Sequence, residues 1–187
     1  MKAITLKQPW AYLVCAGIKP VENRKWRTHR RDRVLIHASA NPKVNLMDLV
    51  CSGFFNEEQK KEVIFNVQNA KRSGELNTGA IIGSVDIVDC VGASPDMTDC
   101  SGAHPSIWAE PDCFHWVLEN PFIFENPAIN VRGKLSFWES GYIEVICPEC
   151  GRRQLHNSTV GGIQSIGWGN PIHECEACGY TITESEF

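Results

Sequence analysis

The chain of 187 residues lacks the long apolar segments that a membrane protein needs. No run approaches the roughly 18 apolar residues of a spanning helix, and the first residues, 1–7, lack the apolar core of a signal peptide. Heptads, internal repeats and low-complexity tracts are also missing. With 43% hydrophobic and 21% charged residues, the composition is that of a globular protein. We therefore expect a cytoplasmic protein that makes no membrane contact.

Acidic residues are scarce near the amino-terminal end. Residues 1–43 contain ten Lys or Arg but only two Asp or Glu, although the whole chain has a formal net charge of −4. Clustered cations of this kind are typical of proteins that bind polyanions, because they displace the counterions of phosphate groups. A merely solvated surface is the alternative. The charge distribution favours a nucleic-acid ligand over an acidic protein surface at this end.

The nine cysteines do not fit a disulfide framework, because their number is odd and their spacing uneven. Four of them form two Cys-x-x-Cys pairs, each followed by glycine: Cys147, Cys150, Cys175 and Cys178. Four thiolates suit one tetrahedral zinc ion and leave no open coordination position, so we predict a structural zinc ribbon with one Zn²⁺ per chain. A redox dithiol or an iron–sulfur site is the alternative. His156 and His173 are interpreted as surface residues.

The ribbon is expected to form a separate small module. The 24 residues between the two pairs exceed the usual spacing of about 15–20, and the glycines at 161–169 predict a long hairpin arm. Gly141 permits a bend near 139–144. We therefore predict two domains, residues 1–140 and residues 141–187.

Periodicity predicts a mixed, mostly β domain before the ribbon. Strands are expected at 4–6, 20–26, 34–39, 78–91, 113–118, 127–131 and 135–138. Helices are expected from Pro9 to Gly17, over 44–50, and after a cap at Asn56. A turn is expected at 119–121 and a long polar loop at 92–112.

The strand at 20–26 carries the most informative side chains. Alternation places Glu22, Arg24 and Trp26 on one face, close behind Lys19. Cations, one carboxylate and a flat ring together are what a pocket for a nucleotide needs. An ion-paired barrel rim without a ligand is the alternative interpretation.

Several blocks together resemble the ASCH domain family, in particular its bacterial and phage-type members. The first is Gly17-x-Lys19-x-x-Glu22-x-Arg24, and the others lie at 6–10, 34–39, 115–121 and 133–138. The resemblance spans residues 1–140. It implies an α+β fold, a PUA-like mixed β-barrel with flanking helices, and an RNA-facing cleft between the first helix and the barrel. It also implies that Lys19, Glu22 and Arg24 lie at the cleft motif; the ribbon is an appendage that many relatives lack.

These observations favour a module that binds single-stranded or modified RNA. Lys19 and Arg24 would contact phosphate, and Glu22 would accept a hydrogen bond from a base. Trp26 and Trp116 would stack bases, although many tryptophans at such spacing are core residues. Gln8 would read a base edge or, alternatively, serve the start of the helix.

Two other functions are weighed against RNA binding. Small relatives resemble amidohydrolases of N4-acetylcytidine that use a lysine, which makes Lys19, Glu22 and His37 the catalytic candidates. Those relatives have threonine where this chain has Glu22, and a carboxylate beside Lys19 favours its charged, unreactive form. A structural histidine is the alternative for His37. The second possibility is an adaptor that binds a protein partner through the ribbon. No carboxylate cluster suggests a Mg²⁺-dependent nuclease.

Overall fold

The computed structural model describes residues 1–41, 50, 55–92, 106–158 and 171–183. The first part of the chain contains β1 (Lys2–Leu6), α1 (Trp10–Cys15), β2 (Val21–Arg24), β3 (Arg33–Ala38), α2 (Glu57–Ser73), β4 (Ala80–Val91), β5 (Phe114–Ala128) and β6 (Phe137–Glu139). The second part contains β7 (Tyr142–Ile146), β8 (Arg153–Asn157), β9 (Pro171–Glu174) and β10 (Thr181–Thr183). None of the described helices is long and apolar enough to cross a membrane.

Six strands form one mixed sheet in the order β2-β5-β4-β3-β1-β6. β1 and β3 are parallel, with Thr5 opposite His37, and the other neighbours are antiparallel. The sheet curls, so the rings of Trp116 on β5 and Phe137 on the opposite edge strand β6 stack with centroids 5.1 Å apart. This curled half-barrel with few helices confirms the predicted α+β fold class.

Helix α1 covers one side of the sheet. The spacing of its apolar residues buries most of the helix, and Gly17, at a φ of 74°, ends it in the left-handed conformation that favours glycine. The helix lies very close to β4 at Gly83. A Cβ atom added to Gly83 would lie 2.5 Å from the Cys15 sulfur, so a side chain at this position would not fit.

Helix α2 begins where the sequence predicts. Asn56 and Gln59 form a reciprocal capping box, and Gly74 ends the helix at a φ of 82°. The apolar stripe of Val63, Val67 and Ala70 is buried. The helix predicted at 44–50 lies outside the described residues, apart from Val50.

Two boundaries differ from the prediction. The turn expected at 119–121 is a bulge inside the long strand β5, where Asn120 has a φ of 47° and the register with β4 shifts. A proline lacks only one N–H, and a bulge tolerates that loss. Residues 129–136, predicted to be partly strand, form a loop between β5 and β6.

Strand β3 also differs from a simple alternation of buried and exposed side chains. Val34 and Ile36 face the core beneath α1, whereas Leu35 packs with Phe124 and Trp138 on the other side of the sheet. Both faces of the strand are covered, so His37 is buried as well.

The carboxyl-terminal strands form two hairpins, β7–β8 and β9–β10. The first hairpin contacts the half-barrel through Glu144, which pairs with Arg33 of β3 at 2.7 Å and with Arg153 of β8. The terminal amine of Met1 donates to the Tyr142 carbonyl at 2.7 Å. The hairpin arm predicted at 161–169 lies outside the described residues, and the domain boundary near residue 140 stays a prediction.

Candidate nucleic-acid interface and metal centre

The three motif side chains near the amino-terminal end form one ion-paired chain. Lys19 Nζ lies 3.0 Å from Glu22 Oε2, and Arg24 Nε lies 3.0 Å from Glu22 Oε1. Lys19 also donates to the Val21 carbonyl. The side chains of Lys19 and Glu22 are only 4% and 11% exposed, whereas that of Arg24 is 26% exposed. The structure therefore brings the three together but presents only Arg24 to solvent.

Local geometry explains why Lys19 turns inward. The amides of Ile18 and Lys19 both donate to the Leu13 carbonyl at the end of α1, which folds the chain back toward β2. The cavity beside Lys19, walled by Trp10 and Trp108, measures about 10 Å³. This volume is far below that of a nucleotide, so in the described part of the chain Lys19 does not line a ligand-sized space.

A much larger cleft opens beside Arg24. Its volume is about 560 Å³, and its walls are the ends of β1 and β3, Arg24 and the loop 131–136. Arg24 reaches across from β2 toward β1, with Nη2 3.4 Å from the Thr5 carbonyl oxygen and the guanidinium 5.7 Å from the centre of the Trp116 ring. Its position therefore depends on the curling of the sheet.

The cleft is cationic. Four basic side chains line it, and none of its described lining residues is Asp or Glu: Lys7, Arg24, Arg132 and Lys134 are the cations. Lys7, Arg132 and Lys134 are exposed, and the Lys134 ammonium lies 5.9 Å from the centre of the Trp138 ring. Such a wall attracts an anion with several charges, because the cations act together in a concave space.

His37 forms part of the floor of this cleft. The side chain is 1% exposed, and its Nε2 lies 2.9 Å from the Val131 carbonyl oxygen. Burial lowers the pKa of His37, and the bond to Val131 offsets only part of that effect. The ring is therefore neutral at pH 7.

The other predicted contact residues are less available. Gln8 is buried; its Nε2 donates to the Asn77 carbonyl at 2.8 Å and its Oε1 accepts from the Tyr12 amide at 3.1 Å, as the helix-start alternative expects. Trp116 is fully buried against Phe137, which favours packing over base stacking. Trp26 is 37% exposed and follows the end of β2.

Sequence reasoning did not single out Lys7, Arg132 or Lys134 as ligand contacts. The pattern Arg132-Gly133-Lys134, two cations flanking a glycine in a polar stretch, was the available signal. It was recognised only as part of a family block, because nothing in the spacing shows that residues 131–136 fold over the ends of β1 and β3.

The four paired cysteines come together at the tips of the two hairpins. All four sulfur atoms lie within 4.8 Å of one another, with 3.7 Å between Cys147 and Cys178 and 3.6 Å between Cys150 and Cys175. A tetrahedron of sulfurs at the usual Zn–S distance of about 2.3 Å has edges of about 3.8 Å, so the cluster fits zinc. Two of the cysteines are buried and two are exposed.

The two cysteine turns have the same backbone geometry. In each, the glycine after the second cysteine donates to the first cysteine's carbonyl at 2.8 Å, with a φ of 71° at Gly151 and 72° at Gly179. Burial raises the pKa of the Cys175 thiol, but the amides of Cys178 and Ala177 lower it further, to about 6. These donors stabilise a thiolate, the form that binds a metal. His173, predicted to be a surface residue, donates or accepts at Gln154 Oε1 over 2.6 Å and is not part of the cluster.

Comparison with known protein families matches residues 4–128 to the ASCH domain. The chain belongs to the ASCH domain family. This family is PUA-like and is often associated with RNA binding, and the match covers the half-barrel, including most of the cleft. The four-cysteine hairpins lie outside the matched residues.

Curated relatives include human and mouse proteins named activating signal cointegrator 1. The human protein is 31% identical over 88 residues, which are 47% of this chain and 14% of that protein. The mouse protein is 28% identical over 88 residues, again 47% of this chain and 14% of the relative. The similarity thus concerns one segment of much longer proteins.

Proposed function

We propose that this ASCH protein binds single-stranded or modified RNA in the cleft beside Arg24. The observation that carries the proposal is the cleft itself: about 560 Å³, with four cations and no carboxylate among its described lining residues. Phosphate groups gain affinity from such cations by releasing counterions, and Arg offers a planar fork that matches phosphate oxygens. The association of the family with RNA supports the same ligand.

The buried chain behind the cleft has a supporting role in this proposal. Glu22 is held by Lys19 on one side and pairs with Arg24 on the other, so it fixes the direction in which Arg24 extends. Lys19 balances the carboxylate, which would otherwise be buried alone. Arg24 is then the member of the motif that contacts the ligand.

Trp26 supplies the aromatic contact. Its ring packs edge-on against Phe137 at 5.7 Å, and Phe137 follows directly after Ser136, which lines the cleft. A base leaving the cleft along this side would meet the exposed part of the ring. Stacking on an aromatic side chain accepts any base, which suits a single strand.

The observed contacts of Lys19 favour RNA binding over the amidohydrolase alternative. An attacking or proton-accepting lysine needs a free amine that reaches the substrate. Lys19 is instead buried, donates to Val21 and pairs with Glu22. The ligand-sized cleft begins at Arg24, on the other side of this chain of charges.

The proposed role of the metal is structural. One zinc ion held by the four cysteines would join the two hairpins, since each hairpin contributes two ligands. The docked hairpins would then offer a second surface to RNA or to a protein partner.

The test is a binding titration with a short fluorescent single-stranded RNA, followed by anisotropy. We expect affinity to fall steeply between 50 and 200 mM salt, and the double variant Arg132→Ala/Lys134→Ala to bind more weakly with a salt slope reduced by about one. A matched control removes one lysine and one arginine from the exposed side of α2, Lys61→Ala/Arg72→Ala. Equal losses in the two variants, or binding that ignores salt, would reject the cleft as the site.

A further inference from the structure

Two buried polar atoms in the described part of the chain have no hydrogen-bond partner, and both belong to residues that line the cleft. They are Arg24 Nε and His37 Nδ1. Arg24 Nε is compensated by its ion pair with Glu22 at 3.0 Å. His37 Nδ1 has no such compensation, and it is closed to solvent. Folded proteins rarely leave a buried polar atom unpaired, so this nitrogen calls for a functional explanation.

The chemical character of His37 Nδ1 follows from its neighbour. The Val131 carbonyl oxygen can only accept, so Nε2 must carry the proton of the bond between them. In the neutral ring Nδ1 then has a free lone pair. It is an acceptor that requires a donor N–H or O–H.

Gly133 lies directly over this nitrogen. A Cβ atom added to Gly133 would lie 2.6 Å from His37 Nδ1 and 2.8 Å from Thr5 Oγ1, which is too close for any side chain. Thr5 Oγ1 already accepts from Trp138 Nε1 at 3.2 Å. The glycine therefore covers the acceptor with backbone alone.

The loop that carries Gly133 is weakly attached. Val131 is anchored by its amide to the Gly79 carbonyl at 2.8 Å, but from Arg132 to Ser136 no backbone hydrogen bond joins the loop to other described residues. Leu135 is 95% exposed, so it adds no packing. A small shift of Gly133 would therefore break few contacts and expose Nδ1 to the cleft.

We propose that His37 determines specificity in this cleft: its Nδ1 accepts a hydrogen bond from a donor group of the bound nucleotide after Gly133 moves aside. The donor is the ribose 2′-hydroxyl or a base amino group. This inference rests on the proposed function, since the cations beside His37 would hold the phosphates. A ligand without the donor would leave the acceptor unpaired inside the complex, which is an effective way to reject it.

The test compares three oligonucleotides of equal length and charge: oligoadenylate RNA, the same DNA, and an RNA of purine ribonucleotides that lacks the 6-amino group. We expect wild-type protein to bind one of the last two about tenfold more weakly than oligoadenylate RNA. Loss with the DNA identifies the 2′-hydroxyl, and loss with the purine RNA identifies the amino group. Equal affinity for all three would overturn the inference but leave the proposed function intact, whereas no binding at all would reject the proposed function.

Two variants tie the discrimination to His37. Gly133→Ala keeps His37 and every cation but places a methyl group over Nδ1, and His37→Phe removes the acceptor. Both should bind the oligonucleotides with the tenfold preference reduced to about one. A preference that persists in both variants would overturn the inference.

A measurement on the wild-type chain decides the question if a variant fails to fold. With ¹⁵N-labelled histidine, the resonance of an unprotonated ring nitrogen moves upfield when that nitrogen accepts a hydrogen bond. The Nδ1 signal of His37 should move when the preferred oligonucleotide saturates the protein, and not with the one that lacks the donor. An unchanged signal at saturation would overturn the inference.

Discussion

The cysteine cluster and the cationic cleft are built in opposite ways. The cluster uses two short turns of identical geometry, each containing two ligands within four residues. The cleft takes its side chains from the ends of three strands and from the loop 131–136, which are distant in the sequence. A metal site can thus be read from local spacing, whereas a cleft depends on how the sheet curls.

The two sites also differ in what holds them in place. The sulfurs are oriented by backbone amides and glycines inside each turn. Arg24 is oriented by a buried carboxylate and lysine, and its guanidinium spans the gap between two strands. Disturbing the cluster should therefore have local effects, and disturbing the buried chain should affect both folding and binding.

The largest expected effect comes from breaking the cluster. Cys175→Ser should lower the zinc content from about one ion per chain to nearly none, because the remaining three thiolates do not complete the tetrahedron. RNA affinity should change by less than about threefold, since distant sites without shared contacts act independently. Metal analysis and anisotropy measure the two quantities on one sample.

Cys113→Ser is the matched control, because Cys113 is also buried but lies outside the cluster. It should keep its zinc. If Cys175→Ser abolishes RNA binding as well as zinc, the two sites are not independent and the comparison fails.

An intermediate effect is expected at the buried chain. Lys19→Ala leaves the Glu22 carboxylate in the interior with one partner fewer, which should lower the free energy of unfolding by about 3 kcal/mol. It should also weaken RNA binding, because Arg24 loses its fixed orientation. Urea unfolding and anisotropy report the two effects.

Lys2→Ala removes a lysine from the exposed pair with Glu139, where the two side chains are 34% and 71% accessible. Because water screens such a pair, this control should change stability far less. Equal changes in the two variants would show that the chain of Lys19, Glu22 and Arg24 does not support the cleft.

The smallest effect is expected from the aromatic contact. Trp26→Leu should weaken RNA binding about five- to tenfold, the lower part of the range for one stacked base, because only part of the ring is exposed. Phe65→Leu, an exposed aromatic on α2, should leave affinity unchanged. A similar affinity for both variants would place the RNA away from the Trp26 side of the cleft.

Much of the fold could be predicted from local patterns. The capping box at Asn56, the end of α1 at Gly17 and the ligand spacing of the cysteines depend on neighbours in the chain. The bulge at Asn120 was mistaken for a turn, because Glu-Asn-Pro is typical of turns and only pairing with β4 keeps the strand continuous. The burial of Trp116 likewise depends on Phe137, which the curled sheet brings to it.

The candidate site was predicted only in part. The sequence showed that Lys19, Glu22 and Arg24 share one region, and the structure joins them through ion pairs. Which of the three faces solvent depends on the depth of each side chain relative to α1 and β1. Alternation along β2 places Glu22 and Arg24 on the same face but carries no information on that depth.

By itself, the sequence determined the four-cysteine cluster, the cationic character of the amino-terminal region and its membership of the ASCH family, because each depends on residue type and short spacing. Only the tertiary structure decided that the ligand-sized cleft lies beside Arg24 rather than Lys19, and that Lys7, Arg132 and Lys134 share it with a buried histidine. The reason is physical: a concave surface is formed by segments that meet only when the sheet curls, and no local pattern records that meeting.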